Sequence, residues 1–308
     1  MPLSLSVIFP MYNEEENIIP LLNATLPVVS SLTKDFEIVF VDDGSKDKTQ
    51  QILKQLRKEK YIKVYTLKKN MGKATALYVG FQKATKDIII TMDSDLQDDP
   101  RDIPKLIEKI NEGYDFVNGW KQNKHAEHKT PLKRLFSLFF NNLTYLLTKV
   151  DMHDYNCPFK ALKNQVAKEL FLYGDMHRYI PVQIANMGYK YAEVSVANHP
   201  RKFGETKYKS SRILRGFFDL LTIKYLVGYK NRPLHIFGSI GLIFGGIGFL
   251  LDIYLFFLWV AKQGIGGRPL LMLAMLLTVL GIQFVSLGLI AEMITNNVIR
   301  NADELIRN

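Results

Sequence analysis

Ile88-Ile89-Ile90-Thr91-Met92-Asp93-Ser94-Asp95-Leu96-Gln97 is the stretch whose reading decides the fold of this chain. A short apolar, β-branched run of this kind reads as a buried strand. It ends in two carboxylates one residue apart, followed by an amide. Acids at the exit of a buried strand are costly unless something compensates them. A hard divalent cation bound through oxygens does so, and Mg2+ or Mn2+ carried on a nucleotide diphosphate is the common case. The bland alternative is a solvated loop that starts with Asp.

Working outward, strand and helix patterns alternate. Leu3–Phe9, Phe36–Val41 and Ile62–Leu67 read as strands, and Phe116-Val117 as extended chain. Glu14–Val29, with an acidic first turn, Lys48–Lys60, Lys73–Ala84 and Pro104–Asn111 read as helices. Such alternation predicts a mainly parallel sheet in a three-layer α/β fold. Sheets of this type bind ligands beyond the carboxyl ends of their strands, near a switch in strand order. The polar clusters fall at those ends: Pro10-Met11-Tyr12-Asn13-Glu14, Asp42-Asp43-Gly44-Ser45 and Asp93-Ser94-Asp95. Neither a GxGxxG nor a Walker A pattern occurs, so dinucleotide binding and P-loop chemistry lack support.

The C-terminal third is different. Leu234–Val260 holds 27 residues with one formal charge, Asp252, and Pro269–Ile290 holds 22 with none. At about 1.5 Å per residue each exceeds a hydrocarbon core of roughly 30 Å. A hairpin of two transmembrane helices is predicted, at about 234–260 and 269–290 within a 233–296 membrane segment. Basic residues set its orientation. Arg215, Lys224, Lys230, Arg232, Arg300 and Arg307 flank the pair, against Lys262 and Arg268 in the link. Both ends are therefore expected in the cytoplasm of an inner-membrane protein. The N-terminus lacks a signal-peptide pattern. The expected order is a cytoplasmic domain over 1–210, juxtamembrane helices over 211–232, the hairpin, and a cytoplasmic tail over 297–308. Gly241-x-x-x-Gly245 and Gly288 allow close helix approach, within the hairpin or in a homo-oligomer. Asp252 either sits near the far headgroups, with Tyr254 and Trp259 as an aromatic belt, or bonds to Gln283.

The net charge of +10 is uneven. Residues 199–232 carry nine Lys or Arg against two acids, and 121–149 carry six against one. Both tracts flank apolar helix-like runs, which fits helices in a lipid headgroup layer better than nucleic acid. The single cysteine, Cys157, excludes an internal disulfide and a cysteine metal cluster.

Taken together, Pro10/Tyr12/Asn13/Glu14, Asp42-Asp43-Gly44-Ser45, Gly72-Lys73 and Asp93-Ser94-Asp95-Leu96-Gln97 resemble the inverting family 2 glycosyltransferases of the GT-A fold. The segments 174–181 and 199–208, followed by two spans, narrow this to the polyprenyl-phosphate glycosyltransferases, the dolichol-phosphate mannose synthase and GtrB-like enzymes. The resemblance implies a GT-A catalytic domain, a nucleotide-diphospho-sugar donor and a polyprenyl monophosphate acceptor. It implies donor contacts from Pro10, Tyr12, Glu14, Asp42, Asp43, Lys73 and Asp93, and metal binding by Asp93, Asp95 and Gln97. Glu14 is equally a helix N-terminal acid, Asp42-Asp43-Gly44 equally a turn, and Lys73 equally a cover for the sheet edge. On the acceptor side it implies Lys121, Lys133 or Arg134 with Ser137, and Arg201 with Lys207, with His177 and Arg178 at the entrance. Relatives often have Arg where Lys121 stands, and Gly where Pro158 stands.

The expected reaction is inverting sugar transfer from a UDP- or GDP-hexose to undecaprenyl or dolichyl phosphate at the cytoplasmic face. Asp95, Arg201, Lys133 and Arg134 would carry the chemistry, with Mg2+ or Mn2+ as cofactor. Glucose, mannose, GlcNAc and modified pentoses all fit. A processive polysaccharide synthase would need a Gln-x-x-Arg-Trp motif, which is absent, and usually more spans. A non-catalytic scaffold or flippase partner would have no need of the acidic clusters.

Overall fold

The computed structural model describes residues 3–121, 144–146, 148–200, 222, 225 and 232–306, with side chains of the last helix described as far as 294. The chain divides into two units, Met1–Ile223 and Lys224–Asn308. The expected boundary at 210 thus falls inside the first unit. The expected juxtamembrane helices lie outside the described residues, apart from 222, 225 and 232.

The first unit is built on strands β1 (Ser4–Met11), β2 (Asp35–Asp42), β3 (Ile62–Thr66), β4 (Ile88–Thr91), β5 (Phe116–Trp120), β6 (Lys160–Lys163) and β7 (Tyr191–Ser195). They form one sheet in the order β3-β2-β1-β4-β6-β5-β7. Neighbours pair in parallel except at β6, which runs antiparallel to β4 and β5. The carboxyl ends of β1, β2, β4 and β5 therefore share one edge. The chain winds outward from β1 to β3, then returns to β4 on the other side of β1. That reversal is the switch point where such sheets open a crevice.

Helices α1 (Ile18–Leu32), α2 (Thr49–Leu56), α3 (Lys73–Lys83), α4 (Ile103–Asn111), α5 (Asn164–Glu169) and α6 (Ile180–Asn186) join the strands. β1 is buried along its whole length, which explains its unbroken apolar run. α4 shows the complementary pattern, with Ile103, Leu106, Ile107 and Ile110 forming one buried stripe. Its entry is held by Asp99, whose carboxylate accepts from the Arg101 N–H at 3.0 Å. The core clusters β1, β2 and β4 with α1 and α4 around Phe9, Phe40, Ile90 and Leu106. The helix expected at Glu14 begins only at Ile18. Glu14 instead forms a preceding turn, its side chain accepting from Asn17 Nδ2 at 2.6 Å.

The second unit is a helical hairpin of α7 (Pro233–Val260) and α8 (Pro269–Ile306). Two segments, Pro233–Val260 and Pro269–Ile294, are long and apolar enough to cross a membrane. α8 continues through the stretch expected as a tail as far as Ile306. No Gly or Pro interrupts residues 291–306, and Ala, Glu, Met, Ile and Arg sustain a helix. Gly241, Gly245 and Gly281 make the close approach of the two helices. A Cβ on Gly281 would lie 2.4 Å from the Gly245 Cα. The glycine stripe thus serves packing within the hairpin. Asp252 accepts from the Thr278 hydroxyl at 2.9 Å, so its partner is Thr278 and not Gln283.

Candidate active site

The loops after β1, β2 and β4 are tied to one another. Asn13, at a positive φ of 54°, accepts from the Lys46 N–H at 2.8 Å, and its own N–H donates to Ser45 Oγ at 2.8 Å. The Glu14 N–H donates to Thr49 Oγ1 at 3.0 Å. Gly44 sits at φ 69°, where a Cβ would lie 2.6 Å from the Lys69 backbone. Only glycine meets both demands there, so the turn after β2 can touch the 69–72 loop. The first Asp of that turn is spent on the turn itself. Asp42 is fully buried, and its Oδ1 accepts from the Ser45 N–H at 3.0 Å and from the Ser45 hydroxyl. Its Oδ2 has no hydrogen-bond partner among the described residues.

Asp43 reaches the surface of the crevice. Its two carboxylate oxygens accept from the Met71 N–H at 2.6 Å and the Gly72 N–H at 2.8 Å. Burial pushes its carboxyl above the ordinary range, the two N–H groups pull it back, and Asp42 adds repulsion. Asp43 thereby presents the start of α3, whose first residue is Lys73. The Lys73 ammonium forms an ion pair with Asp93 across the crevice.

The result is a cleft of about 350 Å³ lined by Pro10, Tyr12, Glu14, Asp43, Lys73, Asp93 and Asp95, among others. Seven residues predicted for the donor and metal side are therefore brought together. Asp42 lies beneath this surface, and Gln97 lies beside it, with its N–H on Asp95 Oδ1 at 3.2 Å. Among the described residues no group of three His, Cys, Asp or Glu side chains is arranged to hold a metal. The donor set fits a hard cation nonetheless: it is all oxygen, and Lys73 already places one positive charge against Asp93. Mg2+ characteristically takes one or two carboxylates and draws the rest of its shell from substrate phosphates and water.

Beside the cleft lies a buried ion pair that the sequence did not reveal. Lys121 Nζ is 2.6 Å from Asp98 Oδ1, with side chains 6% and 0% exposed. Burial alone would lower the Lys121 pKa, but Asp98 outweighs it and holds the ammonium protonated. The second Asp98 oxygen accepts from the Asp93 N–H at 3.1 Å. The expected acceptor cation Lys121 is thus turned inward, because a carboxylate with no access to water lies directly below it. His177 and Arg178 stand in a short 3-10 turn, Met176–Tyr179, that packs against α3. Arg178 pairs with Asp175 at 3.1 Å. Lys133, Arg134, Ser137, Arg201 and Lys207 lie outside the described residues.

A mixed sheet with an acidic crevice at its switch point, followed by an apolar helical hairpin, defines a GT-A-like glycosyltransferase with a candidate membrane anchor. The chain belongs to glycosyl transferase family 2, whose family model matches residues 6–171. It is 34% identical over 305 residues to dodecaprenyl-phosphate galacturonate synthase of Rhizobium johnstonii, covering 97% of this chain and 90% of that protein. It is 33% identical over 293 residues to undecaprenyl-phosphate 4-deoxy-4-formamido-L-arabinose transferase of Enterobacter sp., covering 94% of this chain and 87% of that one. Among solved structures it resembles glucosyl-3-phosphoglycerate synthase of Mycobacterium tuberculosis, in complex with Mn2+, UDP-glucose and phosphoglyceric acid. That match has a TM-score of 0.54 at 18% identity, covering 72% of this chain and 79% of the other, and it carries the fold alone.

Proposed function

We propose that this chain transfers a sugar, with inversion, from a nucleotide-diphospho-sugar to a polyprenyl monophosphate at the cytoplasmic membrane face. The observation that carries the reading is the cleft in which Asp43, Lys73, Asp93 and Asp95 converge at the sheet's switch point. Its support on the acceptor side is the pair of relatives named for polyprenyl phosphates, which match almost the whole chain, hairpin included.

In this reading the donor diphosphate lies over Lys73, with its nucleoside toward Pro10, Tyr12, Glu14 and Asp43. Asp93, Asp95 and Gln97 would hold Mg2+ or Mn2+, which when bound supplies positive charge to the departing diphosphate. Lys73 contributes charge of the same sign from the other wall. The acceptor needs no strong base, because a phosphate monoester with a second pKa of about 6 is already anionic at neutral pH. It needs orientation and neutralisation, assigned to Lys133, Arg134, Ser137, Arg201 and Lys207. Lys121 acts indirectly, by fixing Asp98 beneath Asp93. His177 and Arg178 border the entrance. The hairpin keeps the domain beside the lipid pool, with both ends of the chain in the cytoplasm.

The test uses full-length protein in nanodiscs with undecaprenyl phosphate and a panel of radiolabelled UDP- and GDP-sugars, including galacturonate and formamidoarabinose donors. The expected result is a lipid-linked sugar that disappears with EDTA and returns with Mn2+. Absence of lipid product with every donor would refute the assignment, and full activity in EDTA would remove the metal from it.

A further inference from the structure

Two stretches assigned above to the lipid phosphate, one containing Lys133 and Arg134 and the other Arg201 and Lys207, follow closely after two described positions, Lys121 and His199. Both positions are fastened to the same short segment, residues 97–99. Asp98 holds Lys121 through the buried ion pair at 2.6 Å. On the other side, Asp98 bridges Asn198 in antiparallel fashion. The His199 N–H donates to the Gln97 carbonyl at 2.8 Å. The His199 ring meets Asp99 Oδ2 through Nε2 at 2.9 Å. One step further, the Ala197 N–H donates to Asp102 Oδ2 at 2.6 Å.

Three consecutive residues beyond the end of β7 are thus pinned by residues 97–102. A chain leaving a strand has lost its ladder partners and ordinarily turns to water. Here it is held by a segment that also carries Gln97 and, through the Asp93 N–H, the floor of the donor cleft. The Asp99 carboxylate is suited to the task. Arg101 grips it through Nε at 3.0 Å and Nη2 at 2.6 Å. A carboxylate paired in this way accepts, so His199 donates to it through Nε2.

Resting on the glycosyl-transfer reading above, we propose that the 97–99 segment is a joint that holds residues 197–199 against the floor of the donor cleft for acceptor binding, with His199 and Asp98 as positioning residues. Neither touches a reacting atom. The segment ties His199, two residues before Arg201 in the sequence, to Asp93 through Gln97 and Asp98. Effective phosphate capture therefore depends on a bond to Asp99 as well as on the cations themselves.

Three measurements on full-length protein in nanodiscs test this with His199→Ala and His199→Gln. Deuterium exchange at the amides of 196–200 is expected to rise in His199→Ala. Loss of a hydrogen bond to a charged group predicts a KM for undecaprenyl phosphate about tenfold higher. The Kd of UDP or GDP with Mn2+, whichever binds the wild type more tightly, is expected to stay within about twofold of wild type. His199→Gln, which keeps a side-chain donor, should recover most of the KM. A wild-type KM in His199→Ala overturns the joint, as does a nucleotide Kd that weakens in step with it. Unchanged exchange overturns it too. Should the wild type make no lipid-linked sugar, the transfer reading fails on its own, and the exchange result still decides whether the pins hold the segment.

Discussion

Replacing Lys121 by Met leaves Asp98 dry and without its counter-charge, where burial already pushes its carboxyl above the ordinary range. The pair sits at 2.6 Å with 6% and 0% exposure. At an effective dielectric of about 20, two unit charges at that distance attract by about 6 kcal/mol. Several kcal/mol of desolvation per ion offset this in the intact pair, so the net worth of the pair is small. Removing only the lysine forfeits the attraction and leaves the carboxylate's desolvation in place, a loss of about 3–5 kcal/mol. Cys157 provides the assay, because it is the single cysteine, is 0% exposed and lies in the electrostatic reach of both partners. Burial first, then Asp98 and Asp154, push its thiol up to about 12, so it is inert to a thiol reagent at pH 8 while the domain stays closed. Its labelling rate then reports opening, and a loss of 3–5 kcal/mol corresponds to labelling roughly 100- to 5,000-fold faster. The double variant Lys121→Met/Asp98→Leu removes both charges and is expected within about 1 kcal/mol of wild type. Labelling of Lys121→Met within threefold of wild type would refute the reasoning. So would a double variant as labile as the single one, since the defect would then be lost packing and not an orphaned charge.

Asp43→Asn presents an N–H2 to one of two backbone N–H groups it now accepts from, so the 70–72 loop shifts and nucleotide binding weakens about 10- to 100-fold by titration calorimetry; an unchanged Kd would remove Asp43 from donor binding. Glu37 accepts from Ser6 and Thr85 and pairs with Lys63 at 2.7 Å. Burial opposes its ionisation, but Lys63, Ser6 and Thr85 together hold its pKa below 4.5. The carboxylate's stabilisation is therefore complete above pH 4.5 and is lost as pH falls through the lower folded value. Glu37→Gln should cost about 2 kcal/mol at pH 7 in urea unfolding of the catalytic domain in detergent, with the gap to wild type narrowing below pH 4.5; a gap constant to pH 3.5 would contradict this. Gly281→Ala puts a methyl 2.4 Å from Gly245 Cα and forces the hairpin helices apart. A loss of about 1–3 kcal/mol is expected, read as a lower thermal midpoint in detergent, and an unchanged midpoint would show that the helices do not pack on their glycines.

The parallel half of the sheet was legible because a strand buried on both faces must be apolar throughout. Val7-Ile8-Phe9, Ile38-Val39-Phe40-Val41 and Ile88-Ile89-Ile90 are such runs, and each is almost wholly buried. Their polar exits could be read for the same reason, since charge following a dry strand needs a purpose. β6 was not legible. Its sequence is Lys-Ala-Leu-Lys, yet Lys160 is 3% exposed. Its ammonium is kept there by Asn118 Oδ1 at 2.7 Å and by the Cys157 carbonyl, partners supplied only by the folded chain. β7 is half-buried and carries Glu193 in its middle, so it gave no apolar run to read.

The same distinction governs the site. Asp93, Asp95 and Asp43 are marked by local sequence, a carboxylate directly after an apolar run. Asp98 and Asp99 are not, because Asp-Asp-Pro before a helix is what an ordinary cap looks like. What lifts Asp98 out of that role is Lys121, beyond a helix and a strand, and what lifts Asp99 out of it is His199, a hundred residues away. Read along the chain, Lys121 belongs with the basic tract that follows it and points toward the lipid phosphate. Read in space, burial assigns it to a carboxylate. In the proposed reading, charge for the acceptor comes from farther along, from Lys133, Arg134 and Arg201, while Lys121 is held by Asp98. A substitution at Lys121 should accordingly damage stability first, whereas one at Arg201 should damage lipid use while leaving Cys157 as protected as before.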